Sequence, residues 1–168
     1  MKNNYIVLLF HGIDGKDFYS IDLKKFKSIL SKIKQKDVNV TSIEDKKLNE
    51  DYENKKYISI TFDDGLITDY SKAFPNLLEN NMNASFFVSP NFVGDKGYVS
   101  WSNLREMVNY GMQVGSHGLS HKYLSMMSRE KLIDEIVRSK KIIEDKLSIP
   151  VKSFSIPHDD SFKQLDRV

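Results

Sequence analysis

Residues 57–65 read Tyr-Ile-Ser-Ile-Thr-Phe-Asp-Asp-Gly, an apolar run that passes directly into two adjacent carboxylates and a glycine. Such a run predicts a buried strand, and ligands of α/β folds bind at the carboxyl ends of parallel strands. We therefore place a candidate site at Asp63 and Asp64. The alternative is local: one aspartate caps a helix that begins near Thr68, and Gly65 supplies a turn.

On both sides of this run the chain alternates short apolar segments with longer stretches of helical period, which is typical of βα units around a parallel sheet. The predicted strands are residues 5–10, 57–62, 84–88, 113–115 and 151–155, and the predicted helices are 21–35, 68–80, 102–110 and 128–147. Ser20 is the expected cap of the first helix. The expected apolar positions are Leu23, Phe26, Leu30 and Ile33 in the first helix and Leu132, Ile136, Ile142 and Ile143 in the last.

The composition argues against some partners and restricts the ligands of any metal site. The chain has 168 residues, no cysteine and a net charge of +2. The small charge argues against a nucleic-acid partner, and the absence of cysteine confines a transition-metal site to His, Asp and Glu. The apolar run at residues 5–10 is too short for a membrane span or a signal-peptide core, so we expect a cytoplasmic chain. We expect the polar residues 41–56 to form a solvated loop, or a short strand followed by a loop, and not a binding site.

Two histidines follow the predicted strand at 113–115. Residues 116–121 read Ser-His-Gly-Leu-Ser-His, so His117 and His121 are four apart. This spacing brings two imidazoles to one side of a helical turn, where both can reach one divalent ion. Together with one carboxylate from the strand end at residue 62, they would form a three-ligand site with an open position for water, and the second carboxylate would be free to act as a base.

These motifs resemble those of the polysaccharide deacetylases, or carbohydrate esterase family 4, with its NodB homology domain. Residues 61–65 and 116–121 are similar to the first two family motifs, and 84–88 and 101–107 to the intervening strand and helix. The resemblance implies one domain over 1–168, a distorted (β/α) barrel of NodB type that lacks its C-terminal strands. An oligomer that covers the resulting open edge is a further expectation.

The resemblance also implies roles for the motif residues. Asp63 would be the general base, and Asp64, His117 and His121 would bind one divalent metal ion, with Zn²⁺ the first choice. The implied reaction removes N-acetyl groups from the amino sugars of a poly- or oligosaccharide or glycan precursor. Two alternatives stay open: a catalytically impaired binding or scaffold module, and a deformylase or cyclic amide hydrolase that uses the same metal site.

The third family motif is altered in this chain, which reads Phe-Ser-Ile-Pro-His-Asp at residues 154–159. Ser155 stands where the family often has an arginine that steadies the base, and Asp159 replaces a glycine. Pro157 is retained, and the backbone N–H of His158 is expected in the oxyanion hole. The motif with the general-acid histidine is not found, so His158 and His11 are the candidate substitutes, and a structural role is the alternative for each.

Overall fold

The computed structural model describes residues 5–15, 18–45 and 55–159. Its strands are β1 (Tyr5–Phe10), β2 (Asn39–Val40), β3 (Tyr57–Phe62), β4 (Ser85–Val88) and β5 (Gln113–Ser116). Its helices are α1 (Leu23–Lys34), α2 (Phe74–Glu79), α3 (Trp101–Asn109) and α4 (Arg129–Leu147). A π-helical turn at Asp69–Ala73 leads into α2, and 3-10 turns lie at Leu124–Met126 and Pro157–Asp159.

The strands form one parallel sheet in the order β1-β3-β4-β5, and β2 pairs with the first residues of β3. The predicted α/β class with a parallel sheet is confirmed. Of the predicted strand at 151–155, the structure has a single parallel bridge, between Phe154 and Ser116. Because all pairings are parallel, the carboxyl ends of the long strands share one edge of the sheet.

Three phenylalanine rings stack across neighbouring strands next to that edge. The centroid of the Phe62 ring lies 5.4 Å from that of Phe10 and 4.8 Å from that of Phe86, and all three side chains are buried. Phe10 and Phe62 are also opposite each other in the β1–β3 register. The residues that follow them, His11 and Asp63, therefore leave the sheet side by side, above an apolar floor.

Helix α1 begins two residues later than predicted, because Asp22 caps it and Ser20 does not. The Asp22 carboxylate accepts hydrogen bonds from the backbone N–H groups of Lys24 and Lys25 at 2.7 and 3.2 Å, as N-cap aspartates do. The predicted apolar face is confirmed, and its buried members are Phe26, Leu30 and Ile33.

Helix α4 buries only part of the face that its apolar residues predict: Ile143 is buried, and Leu132 and Ile142 are partly buried. Its buried residues are Glu135, Ser139, Ile143 and Leu147. Ile136, which was predicted to be buried, is 37% exposed. The reason is that this side of the helix meets polar groups of the sheet edge: the Ser139 hydroxyl lies 2.7 Å from that of Ser116.

The remaining elements keep the predicted order with small shifts. Ser100 and Ser128 are the N-caps of α3 and α4, so α3 begins one residue earlier than predicted and α4 one residue later. The polar segment 41–56 lies partly outside the described residues. No described helix combines the length and apolar character that a membrane crossing requires.

Strand β1 forms an edge of the described sheet, paired only with β3 within the described ranges. Its residues Ile6, Val7 and Leu9 are each about half exposed. This matches the open edge expected from the family resemblance. An oligomer that covers it stays a prediction.

Candidate metal centre

The turn after β3 presents two aspartates at the sheet edge. Asp64 and Gly65 both adopt left-handed backbone conformations, with φ of 75° and 69°. A Cβ at residue 65 would lie only 2.8 Å from Cγ1 of Val88, so glycine is required for this turn to pack on β4. The following helical turn is preceded by Thr68 without a side-chain cap, so capping by Asp63 or Asp64 is not their role.

The two histidines converge as expected, but on a loop and not on a helical turn. His117 leaves β5 with its backbone N–H bonded to the Val88 carbonyl at 2.9 Å, and its side chain is buried. Gly118 and His121 then take left-handed φ values of 76° and 51°, which reverse the chain. The ring centroids of the two histidines end 4.8 Å apart.

Asp64, His117 and His121 form a cluster that could hold a metal ion, with one ligand atom from each residue within 4.8 Å of the others. Asp64 Oδ1 lies 3.3 Å from Nε2 of His117 and 3.0 Å from Nε2 of His121. Two ligand atoms bound at about 2.1 Å to a tetrahedral ion are about 3.4 Å apart, so these separations fit a divalent ion. Asp64 Oδ1 is buried and has no hydrogen-bond partner of good geometry among the described residues, as a metal ligand would be without its ion.

Ser155 connects this cluster to Asp63. The Ser155 carbonyl oxygen lies 2.9 Å from Nδ1 of His117, so the other ring nitrogen, Nε2, faces Asp64. A metal-bound histidine usually has a hydrogen-bond partner of this kind on its second ring nitrogen. The Ser155 hydroxyl donates a hydrogen bond of 2.8 Å to Oδ2 of Asp63. The residue that replaces the family's arginine therefore still contacts the Asp63 carboxyl. Oδ1 of Asp63 is buried and accepts no hydrogen bond from the described residues.

The two adjacent aspartates have opposite pKa shifts. Burial raises the pKa of the Asp63 carboxyl, against lowering effects from His117, the Ser155 hydroxyl and His11. Burial also acts to raise the pKa of Asp64, but hydrogen bonds and charges from His117 and His121 outweigh it and hold that pKa well below its usual range. Asp64 is thus an ionised carboxylate of the kind that divalent ions bind, and the pKa of Asp63 is shifted in the direction that suits a general base.

A third carboxyl, Asp69, lies close to the pair and was not predicted from the sequence. It is 1% exposed, and neither of its oxygens has a hydrogen bond of good geometry among the described residues. Burial and the charges of Asp64 and Asp63 raise its pKa well above the usual range, more than the Leu66 backbone lowers it. Three carboxyls in a buried region favour the binding of a cation.

The two candidate acids are close to different members of the centre, His158 to His121 and His11 to Asp63. His158 is exposed, its ring stacks on Tyr123 at a centroid distance of 4.1 Å, and its Nε2 lies 2.9 Å from the His121 carbonyl oxygen. His11 follows β1, where the Asp63 N–H bonds to the Phe10 carbonyl at 3.0 Å, and its charge lowers the pKa of Asp63. A groove of about 740 Å³ opens beside His121 and His158.

Metal binding at this centre is expected to become stronger as the pH rises. Burial lowers the pKa of His117, but the Asp64 hydrogen bond, the Asp63 charge and the Ser155 carbonyl outweigh it and raise the pKa above its ordinary value. A proton therefore competes with metal for Nε2, and the apparent Zn²⁺ affinity should fall by up to about tenfold per pH unit below that pKa.

The same shift affects the stability of the metal-free chain. A raised histidine pKa stabilises the fold below about pH 6.5, and this contribution is lost as the pH rises through the folded-state pKa of His117. The increase in Tm on adding saturating Zn²⁺ should therefore be larger at about pH 8 than at about pH 6. Thermal unfolding with Zn²⁺ and with chelator checks this, and an increase in Tm that is equal or smaller at the higher pH would contradict it.

Comparison with known proteins agrees with the fold and the motifs. The polysaccharide deacetylase family model matches residues 50–166. YxkH of Bacillus subtilis is 25% identical over 147 residues, which are 83% of this chain and 51% of YxkH. A peptidoglycan-N-acetylglucosamine deacetylase of Bacillus cereus is 32% identical over 99 residues, 58% of this chain and 45% of that protein. The chain thus spans about half the length of these curated relatives.

A solved structure supports the same assignment. IcaB from Ammonifex degensii superimposes with a TM-score of 0.84 at 25% identity, over 98% of this chain and 78% of IcaB. The described sheet and helices thus have the architecture of a known protein along nearly the whole chain.

Proposed function

The chain belongs to the polysaccharide deacetylase family, and from that premise we propose that it is a metal-dependent hydrolase that removes N-acetyl groups from amino sugars of a poly- or oligosaccharide. The observation that carries this proposal is the convergence of Asp64, His117 and His121 beside the unpaired Oδ1 of Asp63. The Bacillus cereus relative, named for deacetylating N-acetylglucosamine of peptidoglycan, supports the choice of bond.

Asp64, His117 and His121 would hold the ion, and Asp63 would move the first proton. A divalent ion at this position would lower the pKa of the attacking water and polarise the acetamide carbonyl. Oδ1 of Asp63 is free to take a proton from the attacking water, because the Ser155 hydroxyl bond holds the other oxygen in place. A carboxyl whose pKa is raised by burial is suited to this work near neutral pH.

The segment after α4 would stabilise the negative charge that develops on the carbonyl oxygen. Pro157 is buried and packs toward Gly118 of the histidine loop, and the next residue, His158, is close to His121. We assign the oxyanion contact to the backbone N–H of His158. This role does not depend on the side chain, so the histidine in place of the family's aromatic residue is compatible with it.

His11 is the better candidate for the acid that protonates the leaving amine. It directly follows Phe10, whose carbonyl accepts the Asp63 N–H, whereas Nε2 of His158 is already paired with the His121 carbonyl and its ring contacts those of Tyr123 and His121. His11 donates a proton to the amine nitrogen as the C–N bond breaks, and Asp63 releases its proton to solvent. The products are acetate and a free amine. The groove beside His121 would accommodate the adjoining part of the sugar chain.

Removal of metal tests the proposal directly. Chelator treatment is expected to reduce acetate release from oligomers of N-acetylglucosamine by at least about 100-fold, and Zn²⁺ should restore it in wild type but not in His121→Ala. Acetate, formate and ring-opened products are measured side by side. Undiminished turnover by the metal-free chain would contradict metal dependence. Formate or ring opening without acetate would favour the alternative amide hydrolases, and no turnover with metal bound would favour the binding module.

A further inference from the structure

Glu135 is a buried carboxyl on α4 that the proposed mechanism does not use. It is 7% exposed, and both of its oxygens face Ser120, the residue before His121. The Ser120 N–H donates to Oε1 at 2.5 Å, and the Ser120 hydroxyl lies 2.9 and 3.1 Å from the two oxygens. Burial of a carboxyl is costly unless it is hydrogen-bonded. Here the bonds go to the loop that carries both candidate metal-binding histidines.

That loop needs to be held, because its backbone is strained. His121 has a left-handed φ of 51°, a conformation that a residue with a side chain keeps only when its surroundings enforce it. The His117 end is fixed by two hydrogen bonds, from its N–H to the Val88 carbonyl and from the Ser89 hydroxyl to its own carbonyl. The other end is fixed by Glu135 through Ser120.

The helix that carries Glu135 is itself fixed to the sheet. Ser139, one turn further along α4, lies with its hydroxyl 2.7 Å from that of Ser116 in β5, and both are buried. Glu135 also lines the inner side of the histidine loop, since a Cβ on Gly118 would lie 3.3 Å from its Oε1. The Glu135 carboxyl therefore holds the histidine loop against a helix that is itself fixed to the sheet.

We propose that Glu135 is a positioning residue that sets the conformation of the 117–121 loop, so that the His121 imidazole faces Asp64 before metal arrives. The proposal rests on the proposed function only in taking the ligand of this loop to be a divalent metal ion. Glu135 does not bind the ion itself; it removes the cost of ordering the loop, which would otherwise weaken binding.

The test is a Zn²⁺ titration of the metal-free chain against a chromophoric chelator. Glu135→Ala is expected to raise the Kd for Zn²⁺ by about 10- to 100-fold. Glu135→Gln should have a smaller effect, because an amide oxygen still accepts the Ser120 N–H, and Ser120→Ala should also be intermediate. Glu144→Ala is the matched control. Glu144 lies on the same helix and accepts the Val151 N–H at 2.9 Å, away from the histidine loop. This variant should therefore bind Zn²⁺ with the wild-type Kd.

The outcomes separate this inference from the proposed function. If wild type does not bind Zn²⁺, the proposed function fails. If wild type binds it and Glu135→Ala binds it equally tightly, only the role of Glu135 is overturned. An equal rise in Kd for Glu135→Ala and Glu144→Ala would also overturn it, because that would be a general loss of stability. If Glu135→Ala does not fold, Glu135→Gln and Ser120→Ala decide, and wild-type Kd values in both would reject the proposal.

Discussion

Replacing Asp63 by asparagine is expected to lower kcat for deacetylation by about 10²- to 10⁴-fold while the chain still binds one divalent ion. Asparagine keeps the shape and can still accept the Ser155 hydroxyl bond, but its amide cannot take a proton from water. The three candidate ligands are other residues, Asp64, His117 and His121, so metal content should not fall. Acetate release and metal content, measured on the same preparation, check the loss of kcat and the retention of metal.

Asp64→Asn is the paired control for this experiment. It removes the ionised carboxylate from between the two imidazoles, so metal and activity should be lost together. Normal turnover by Asp63→Asn would show that Asp63 is not the base. Loss of metal by Asp63→Asn would show instead that Asp63 is itself a ligand, and the roles of the two aspartates would need to be revised.

The strands and the metal cluster could be predicted because their signals are local in the sequence. The apolar run that ends at Phe62 predicts a buried strand, and a parallel sheet then requires Asp64 to meet His117 at the same edge. The prediction of a helical turn for the histidine loop was wrong, because spacing alone does not reveal the left-handed φ values of Gly118 and His121. Two histidines four apart can converge on either backbone.

The residues that support the cluster could not be predicted in the same way. Glu135 lies in a helix where apolar periodicity predicts that Ile136 faces the core, and a glutamate there is normally solvated. Its burial depends on Ser120, 15 residues away, in a loop of irregular backbone. Ser155 contacts Asp63 from 92 positions away in the chain. No periodicity or spacing encodes such contacts, since they depend on how separate elements pack.

The choice between the two candidate acids also required the structure. In the sequence, His11 and His158 are equivalent as lone histidines that follow apolar segments. The β1–β3 register pairs Phe10 with Phe62, so His11 and Asp63 follow paired residues, whereas the ring of His158 contacts the rings of Tyr123 and His121. This difference leads to a prediction that distinguishes the two residues.

His11→Gln is expected to lower kcat by about 10²-fold or more without loss of bound metal, whereas His158→Gln should change kcat less than about tenfold. A glutamine at residue 11 can hydrogen-bond but cannot supply a proton to the leaving amine.

The measurement is kcat for wild type and both variants, on a substrate with an amine leaving group and on one with a more acidic leaving group. The second substrate needs little protonation, so it should restore much of the activity of His11→Gln if residue 11 acts as the acid. A structural defect would depress both substrates equally. Because His158 also bonds to the carbonyl of His121, its variant is expected to affect metal affinity more than the chemical step, which keeps the two roles separable. A large kcat loss in His158→Gln, with His11→Gln near wild type, would reverse the assignment.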